Sequence, residues 1–212
     1  MVQMLLFCAL LFQVVVPQTA PKPLIENDRV TVWDATGPTT AQPLDAVVVS
    51  LSGSAVFVPK GKTPNVSLRS IVIDLKDHPV APIANTTGYP LAFPRPGSKK
   101  ILENERVIVW DYAWTPGVAT PMHFHDKDVV VVFLDDGDLS STTLDGKVVV
   151  NSYSSGTVRF NASDRTHTET LVRGQQRAII TELKWLVRAC SSPTASGSFS
   201  TPARITTAAG AA

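Results

Sequence analysis

Apolar residues in this chain come in short runs separated by Gly, Pro, Asp or Asn, and nowhere at sustained helical spacing. Arg29 to Asp34, Ala46 to Leu51, Val129 to Leu134 and Lys147 to Val150 are rich in β-branched residues and bounded by turn formers, which predicts strands. Short strands in this number must close or stack, so the pattern predicts an all-β sandwich or barrel.

The pattern also repeats. Between Glu26 and Asp34, seven of nine residues recur 77 positions later, between Glu103 and Asp111. Asp45 to Leu51 is echoed by Asp128 to Leu134, and Arg69 to Lys76 by Arg177 to Lys184, in the same order. Three ordered matches predict a duplicated unit. The offset grows from 77 to 83 to 108, so the first copy is shorter by about thirty residues. The missing stretch corresponds to a hairpin around Thr142 to Val158, turning at Asp145-Gly146, and makes the first copy an incomplete barrel.

Three segments stand outside this alternation. Met4 to Val16 is almost unbroken apolar sequence, too short to span a bilayer as a helix, and is expected to be the core of a cleaved signal peptide over residues 1–20. The chain is therefore expected to be secreted or periplasmic. Residues 77–100 are proline-heavy and predicted to be an extended connector, and residues 191–212 are Ser, Thr, Ala, Pro and Gly, predicted as a disordered tail. Between them lie the partial first copy, 21–76, and the second, 101–190.

Composition narrows the function more than it defines it. Apolar residues make up 44% of the chain, enough for a core, and a net charge of +1 with interspersed signs argues against a nucleic-acid partner. Removal of the leader would take Cys8 with it and leave Cys190 alone, so no intrachain disulfide is expected. Asn65, Asn85 and Asn161 open glycosylation triplets, which matter only in a eukaryotic secretory host. No nucleophile elbow, phosphate-binding glycine loop or His-Glu-x-x-His motif is present.

The chemistry concentrates in the histidines. His123 and His125 stand at i and i+2 of a predicted strand and so face the same way. A third imidazole from another strand, His167, would complete a three-nitrogen set for a divalent metal with a position left open. His78, in the connector, is expected to be solvated, and Lys127 to be an ordinary exposed charge. Of the four tryptophans, Trp114 is the one expected near the site, because it lies just upstream of Gly117.

With these residues in place the second copy resembles the cupins, a superfamily of double-stranded β-helix (jelly-roll) barrels, over about Ile101 to Lys184. The first cupin motif runs Gly, five residues, His-x-His, three or four residues, Glu, six residues, Gly. Gly117, His123, His125 and Gly137 match it, while the Glu position is Val130 or, at the shorter spacing, Val129. In the second motif Gly156 and His167 keep their spacing, and Ala162 and Asp164 replace its Pro and Gly. The resemblance implies that His123, His125 and His167 bind iron, manganese, zinc, copper or nickel, with the usual carboxylate lost. Glu169, two residues beyond His167, is the favoured replacement, as acid–base group or ligand; Asp128 would need a bulge to turn inward. In the first copy the matching positions are Thr40, Gln42 and, where motif two has its histidine, a proline at Pro64, so that copy is expected to be structural. The resemblance implies a small-molecule dioxygenase or isomerase; a non-catalytic ligand-binding or structural module is the alternative. An incomplete first barrel would leave a strand edge to cover, which points to a homodimer.

Overall fold

The computed structural model describes residues 22–36, 40–65 and 69–185. The expected signal segment, Cys8, Cys190 and the expected tail lie outside these residues.

The described residues contain fourteen strands and no helix. Strands β1 (Ile25–Glu26), β2 (Val30–Ala35), β3 (Ala46–Ser50), β4 (Ala55–Val58) and β5 (Ser70–Leu75) form one sheet in the order β1-β2-β5-β3-β4. The second half begins with β6 (Lys99–Glu103), two residues before its expected start, followed by β7 (Val107–Ala113), β8 (His123–His125) and β9 (Asp128–Phe133). It continues through β10 (Gly137–Thr143), β11 (Val148–Tyr153), β12 (Val158–Asn161), β13 (Arg165–Gly174) and β14 (Arg177–Leu183). Two sheets result, β6-β7-β14-β9-β12 and β8-β13-β10-β11, each antiparallel throughout.

Both five-stranded sheets run in the same order, and matched residues make matched bonds. The Trp33 indole donates to Asp74 at 2.8 Å, as Trp110 does to Glu182 at 2.7 Å. Asn27 accepts from the backbone N–H of Arg29 and Val30, as Asn104 does from Arg106 and Val107. The β10–β11 hairpin, with Gly146 at φ 78° in its turn, has no counterpart among the described residues of the first half.

Strand β9 explains why its sequence is an unbroken apolar run. Val130 and Val132 pack with Val47, Val49, Ile71 and Ile73 of the first sheet, while Val129, Val131 and Phe133 face the four-stranded sheet. A strand buried on both faces has no position for a polar residue. The sheet holding β9 is thus the middle layer of three. On its outer side lies an aliphatic interface with the first half, mostly valine and isoleucine with Leu75, Leu134 and Leu183; on its inner side lies the jelly-roll interior.

Candidate metal and ligand pocket

The interior of the second half is a cavity of about 180 Å³ at the end where β8 and β13 pair. Its aliphatic wall is Val129, Val131, Leu139 and Ile180, and Trp114, Phe133 and Tyr153 add aromatic surface. Phe133 and Tyr153 are stacked, their ring centroids 3.9 Å apart.

Strand register delivers the imidazoles. His167 lies directly opposite His123, and Arg165 opposite His125. Cross-strand partners and i, i+2 neighbours share a face, so all four side chains point inward. The three rings sit 4.8 to 5.1 Å apart, centroid to centroid, and each residue is buried. Their nearest ring nitrogens lie within 4.8 Å of one another. His125 Nε2 and His167 Nε2 are 3.3 Å apart. In tetrahedral zinc coordination at the usual bond length, neighbouring nitrogens stand roughly 3.3 Å apart. His123 Nδ1 lies 2.8 Å from the Pro121 carbonyl, to which only an Nδ1–H can donate, so its Nε2 is unprotonated and accepts from Arg95 Nη1 at 3.2 Å.

The electrostatics keep the imidazoles unprotonated. Burial and then the Arg95 charge push His123 down to about 4. Burial and Arg165 hold His125 well below the usual histidine range, and burial outweighs the opposing pull of Glu169 at His167. Neutral imidazole is the ligand form, so the donor set suits a divalent transition metal.

Glu169 reaches the same point. Its Oε1 is 3.9 Å from His167 Nε2, and its Oε2 accepts from the Trp114 indole at 3.2 Å and from Arg95 at 3.4 Å. Burial alone would raise its pKa, but the Arg95 guanidinium reverses this and holds the carboxyl below its usual value. Its backbone is pinned by the segment after β7: Glu169 N donates to Thr120 Oγ1, and Thr120 N donates to the Glu169 carbonyl.

Asp128 is not available to the site. It accepts from Arg29 at 2.8 Å and from the N–H and hydroxyl of Ser163, facing the first half of the chain. Of the two candidates for the absent cupin carboxylate position, Val129 lines the cavity and Val130 lies in the interface with the first half. The shorter motif spacing is therefore the one that places a side chain in the pocket.

The motif glycines have physical causes. Gly117 and Gly156 take φ of 72° and 84°, and a Cβ on Gly137 would stand 2.7 Å from the Gln175 carbonyl. Asp164, where the second motif has glycine, sits at φ 61°, a conformation that Asp tolerates better than most residues. Trp114 lies at the site as expected, and His78 is exposed. Lys127 is instead folded back on its neighbour Asp126 at 2.7 Å and over the Trp185 ring, with its side chain 13% exposed.

Three arginines in the pocket went unnoticed in the sequence. Arg95 comes from the proline-rich connector, which is no bare spacer: Ala92 N donates to the Phe124 carbonyl, and Phe124 N to Pro90, so the connector covers the free side of β8. Arg95 then reaches inward over the Tyr112 ring at 4.0 Å, with its Nη1 3.2 Å from His123 Nε2. No local sequence signal marks that contact. Arg165 was within reach, since it precedes His167 by two residues on the same strand. Arg159 and Asn161 enter through β12, opposite Val131 and Val129.

No family model and no curated protein matches this chain. Solved structures do. A cupin domain from Bordetella pertussis Tohama I is 27% identical, covering 44% of this chain and 99% of its own, at a TM-score of 0.38. A cupin 2 conserved barrel domain protein from Leptotrichia buccalis is 11% identical and covers 82% of this chain and 93% of its own, at 0.43. An RmlC-like cupin family protein with a double-stranded β-helix fold from Methanocaldococcus jannaschii is 11% identical over 49% of this chain and 89% of its own, at 0.34. The chain is similar to these cupin structures, and its own fold is all-β, with the second half's two antiparallel sheets arranged around the histidine-bearing strands β8 and β13.

Proposed function

We propose that this protein is an exported cupin-domain protein that holds one divalent transition metal through Nε2 of His123, His125 and His167 and uses it on a small organic molecule. The observation that carries the reading is the 3.3 Å approach of His125 Nε2 to His167 Nε2, beside an unprotonated His123 Nε2 that Arg95 would have to release to a metal. The same separation fits two ligands of one cation, in which case the His125 proton would sit on Nδ1, which has no hydrogen-bond partner among the described residues. Such a metal, when bound, supplies a Lewis acid for an oxygen atom of the substrate or a site for dioxygen. Imidazole donors suit iron, zinc, copper or nickel alike.

The chain's own residues would do the rest. Glu169, ionised and held by Trp114 and Arg95, stands ready to accept a proton at Oε1, the oxygen nearer the histidines. The wall of Val129, Val131 and Phe133 excludes water and gives an apolar body somewhere to lie. The first half carries no part of this machinery; it buries the outer face of the middle sheet.

A second reading, a binding module without turnover, is favoured by one specific observation. Val129 stands where cupins carry a ligating carboxylate, and Arg95 places a positive charge against His123. Both weaken a metal site relative to one with a fourth anionic ligand. Export is inferred from the apolar leader alone. A homodimer is proposed because β11 leaves an open sheet edge with Val148, Val149 and Val150 exposed.

The reading is tested by melting the chelator-treated protein with and without each ion. A ligand that binds only the folded state at a hundred times its Kd adds about 2.7 kcal/mol. A rise of several degrees with one ion, absent in His125→Ala, supports the metal site; equal melting temperatures with every ion contradict it. Turnover of a substrate by the loaded protein then separates enzyme from binding module.

A further inference from the structure

The charge in the cavity identifies the class of molecule it takes. Its lining carries three guanidinium groups, from Arg95, Arg159 and Arg165, against a single carboxylate, Glu169. That carboxylate is already committed to Arg95 and Trp114. Arg165 uses only Nε, donating to the Ala162 carbonyl at 2.8 Å, and its two Nη groups have no ion-pair partner among the described residues. Arg159 likewise has no carboxylate within ion-pair distance among the described residues, and it lies at the exposed mouth. Elsewhere in the described chain, arginines are matched: Arg29 with Asp128, Arg69 with Asp34, Arg106 with Asp45, Arg173 with Asp138 and Arg177 with Asp111. The unmatched ones are gathered in one pocket.

We infer that the pocket binds a small organic carboxylate, its anionic group held by Arg165 and Arg159 and its apolar body laid against Val131, Leu139, Phe133 and Tyr153. A guanidinium pairs with a carboxylate through two parallel N–H donors, which a neutral ligand cannot accept as well. Desolvating an arginine without a counter-ion is costly, so a neutral sugar or an amine in this cavity would leave the charge uncompensated. A divalent cation on the histidines would add to the same excess, and an anionic occupant would relieve it. At about 180 Å³ the cavity falls below the roughly 300 Å³ at which ordinary ligand pockets begin, which limits the anion to a compact acid. Asn151, Asn161 and Ser141 supply neutral donors around it.

This inference takes the pocket from the proposed function as the binding site, but it does not require that a metal be bound. The test is titration of the full chain with benzoate, succinate and isobutyrate, followed by intrinsic tryptophan fluorescence and calorimetry, with benzamide as the neutral match for benzoate. Each titration is run on chelator-treated and metal-loaded protein whose metal content is measured. At least one carboxylate should saturate, benzamide should bind at least about tenfold more weakly than benzoate, and Arg165→Gln should weaken the best carboxylate by about tenfold or more. Arg159→Gln, at an exposed position where folding is not at risk, should weaken it in the same direction. Equal binding of benzoate and benzamide, an unchanged affinity in both arginine variants, or no saturation by any carboxylate up to about 20 mM would overturn the inference. Failure of the metal reading would show separately, as protein that takes up no ion while carboxylate binding persists.

Discussion

Arg29 and Asp128 form an ion pair at 2.8 Å between the two halves of the chain, and their counterparts Arg106 and Asp45 form the reciprocal pair at 3.0 Å. Each arginine also donates to the carbonyl of a lysine in the opposite half, Arg29 to Lys184 and Arg106 to Lys76. The two pairs are reciprocal: each joins an arginine of one half to an aspartate of the other. Their environments differ. The Arg29 and Asp128 side chains are each 9% exposed, against 14% and 27% for Arg106 and Asp45.

That difference predicts unequal costs. Asp128→Ala leaves a buried guanidinium unpaired and takes the acceptor from Ser163, so it should cost about 3 kcal/mol or more. Asp45→Ala breaks a more hydrated pair and should cost about 1 kcal/mol. Denaturant melts of the two variants check the ranking; equal losses would mean that burial does not separate the pairs.

The two valines at the missing carboxylate position should behave as opposites. Val129→Glu places a carboxylate in a cavity already rich in arginine and beside three imidazoles, so the variant should fold and bind metal about tenfold or more tightly. Val130→Glu drives a charge among Val47, Ile71 and Ile73, and should cost several kcal/mol or prevent folding. Competition with a coloured chelator measures the first and soluble yield the second.

Arg95→Gln should raise metal affinity. The guanidinium lies 3.2 Å from His123 Nε2, and a like charge this near a cation site opposes binding. Its removal should tighten binding by about tenfold, roughly 1.4 kcal/mol, while lowering thermal stability through the lost stacking on Tyr112. Unchanged affinity would mean that Arg95 swings clear when metal enters.

Glu182 gives a pH prediction away from the site. Burial raises its pKa above 4.5, with the Trp110 hydrogen bond opposing. An acid whose folded pKa is raised stabilises in its protonated form; that stability is present below the unfolded pKa and is lost as pH rises through the folded value. Glu182→Gln, which keeps an acceptor for Trp110, should therefore be more stable than the parent at neutral pH. The advantage should fade as pH falls through the raised folded pKa and be gone below about 4.5, which melting curves across pH would reveal.

Much of the architecture was legible because β-sheet patterning is local. The valine run of β9, the Asp145-Gly146 turn and the glycine–histidine spacing each encode their geometry within a few residues. A strand's period of two puts His123 with His125 and His167 with Glu169, while the resemblance to the cupin motifs is what brought the two pairs to one site. Arg95 could not be placed with them, since an irregular segment has no period and its inward turn depends on the connector pairing with β8. Asp128 looked like a candidate ligand by proximity in sequence, yet its partner, Arg29, is ninety-nine residues away. Lys127 looked exposed because nothing local announces the ring of Trp185.

The central claim is that three imidazoles hold one metal ion. Elemental analysis of the protein purified without chelator or histidine tag, beside the His123→Ala/His125→Ala double variant, tests it most directly. The account predicts about one iron, manganese, zinc, copper or nickel per chain, and none in the variant. No bound metal in either protein, even after incubation with each ion, would contradict it.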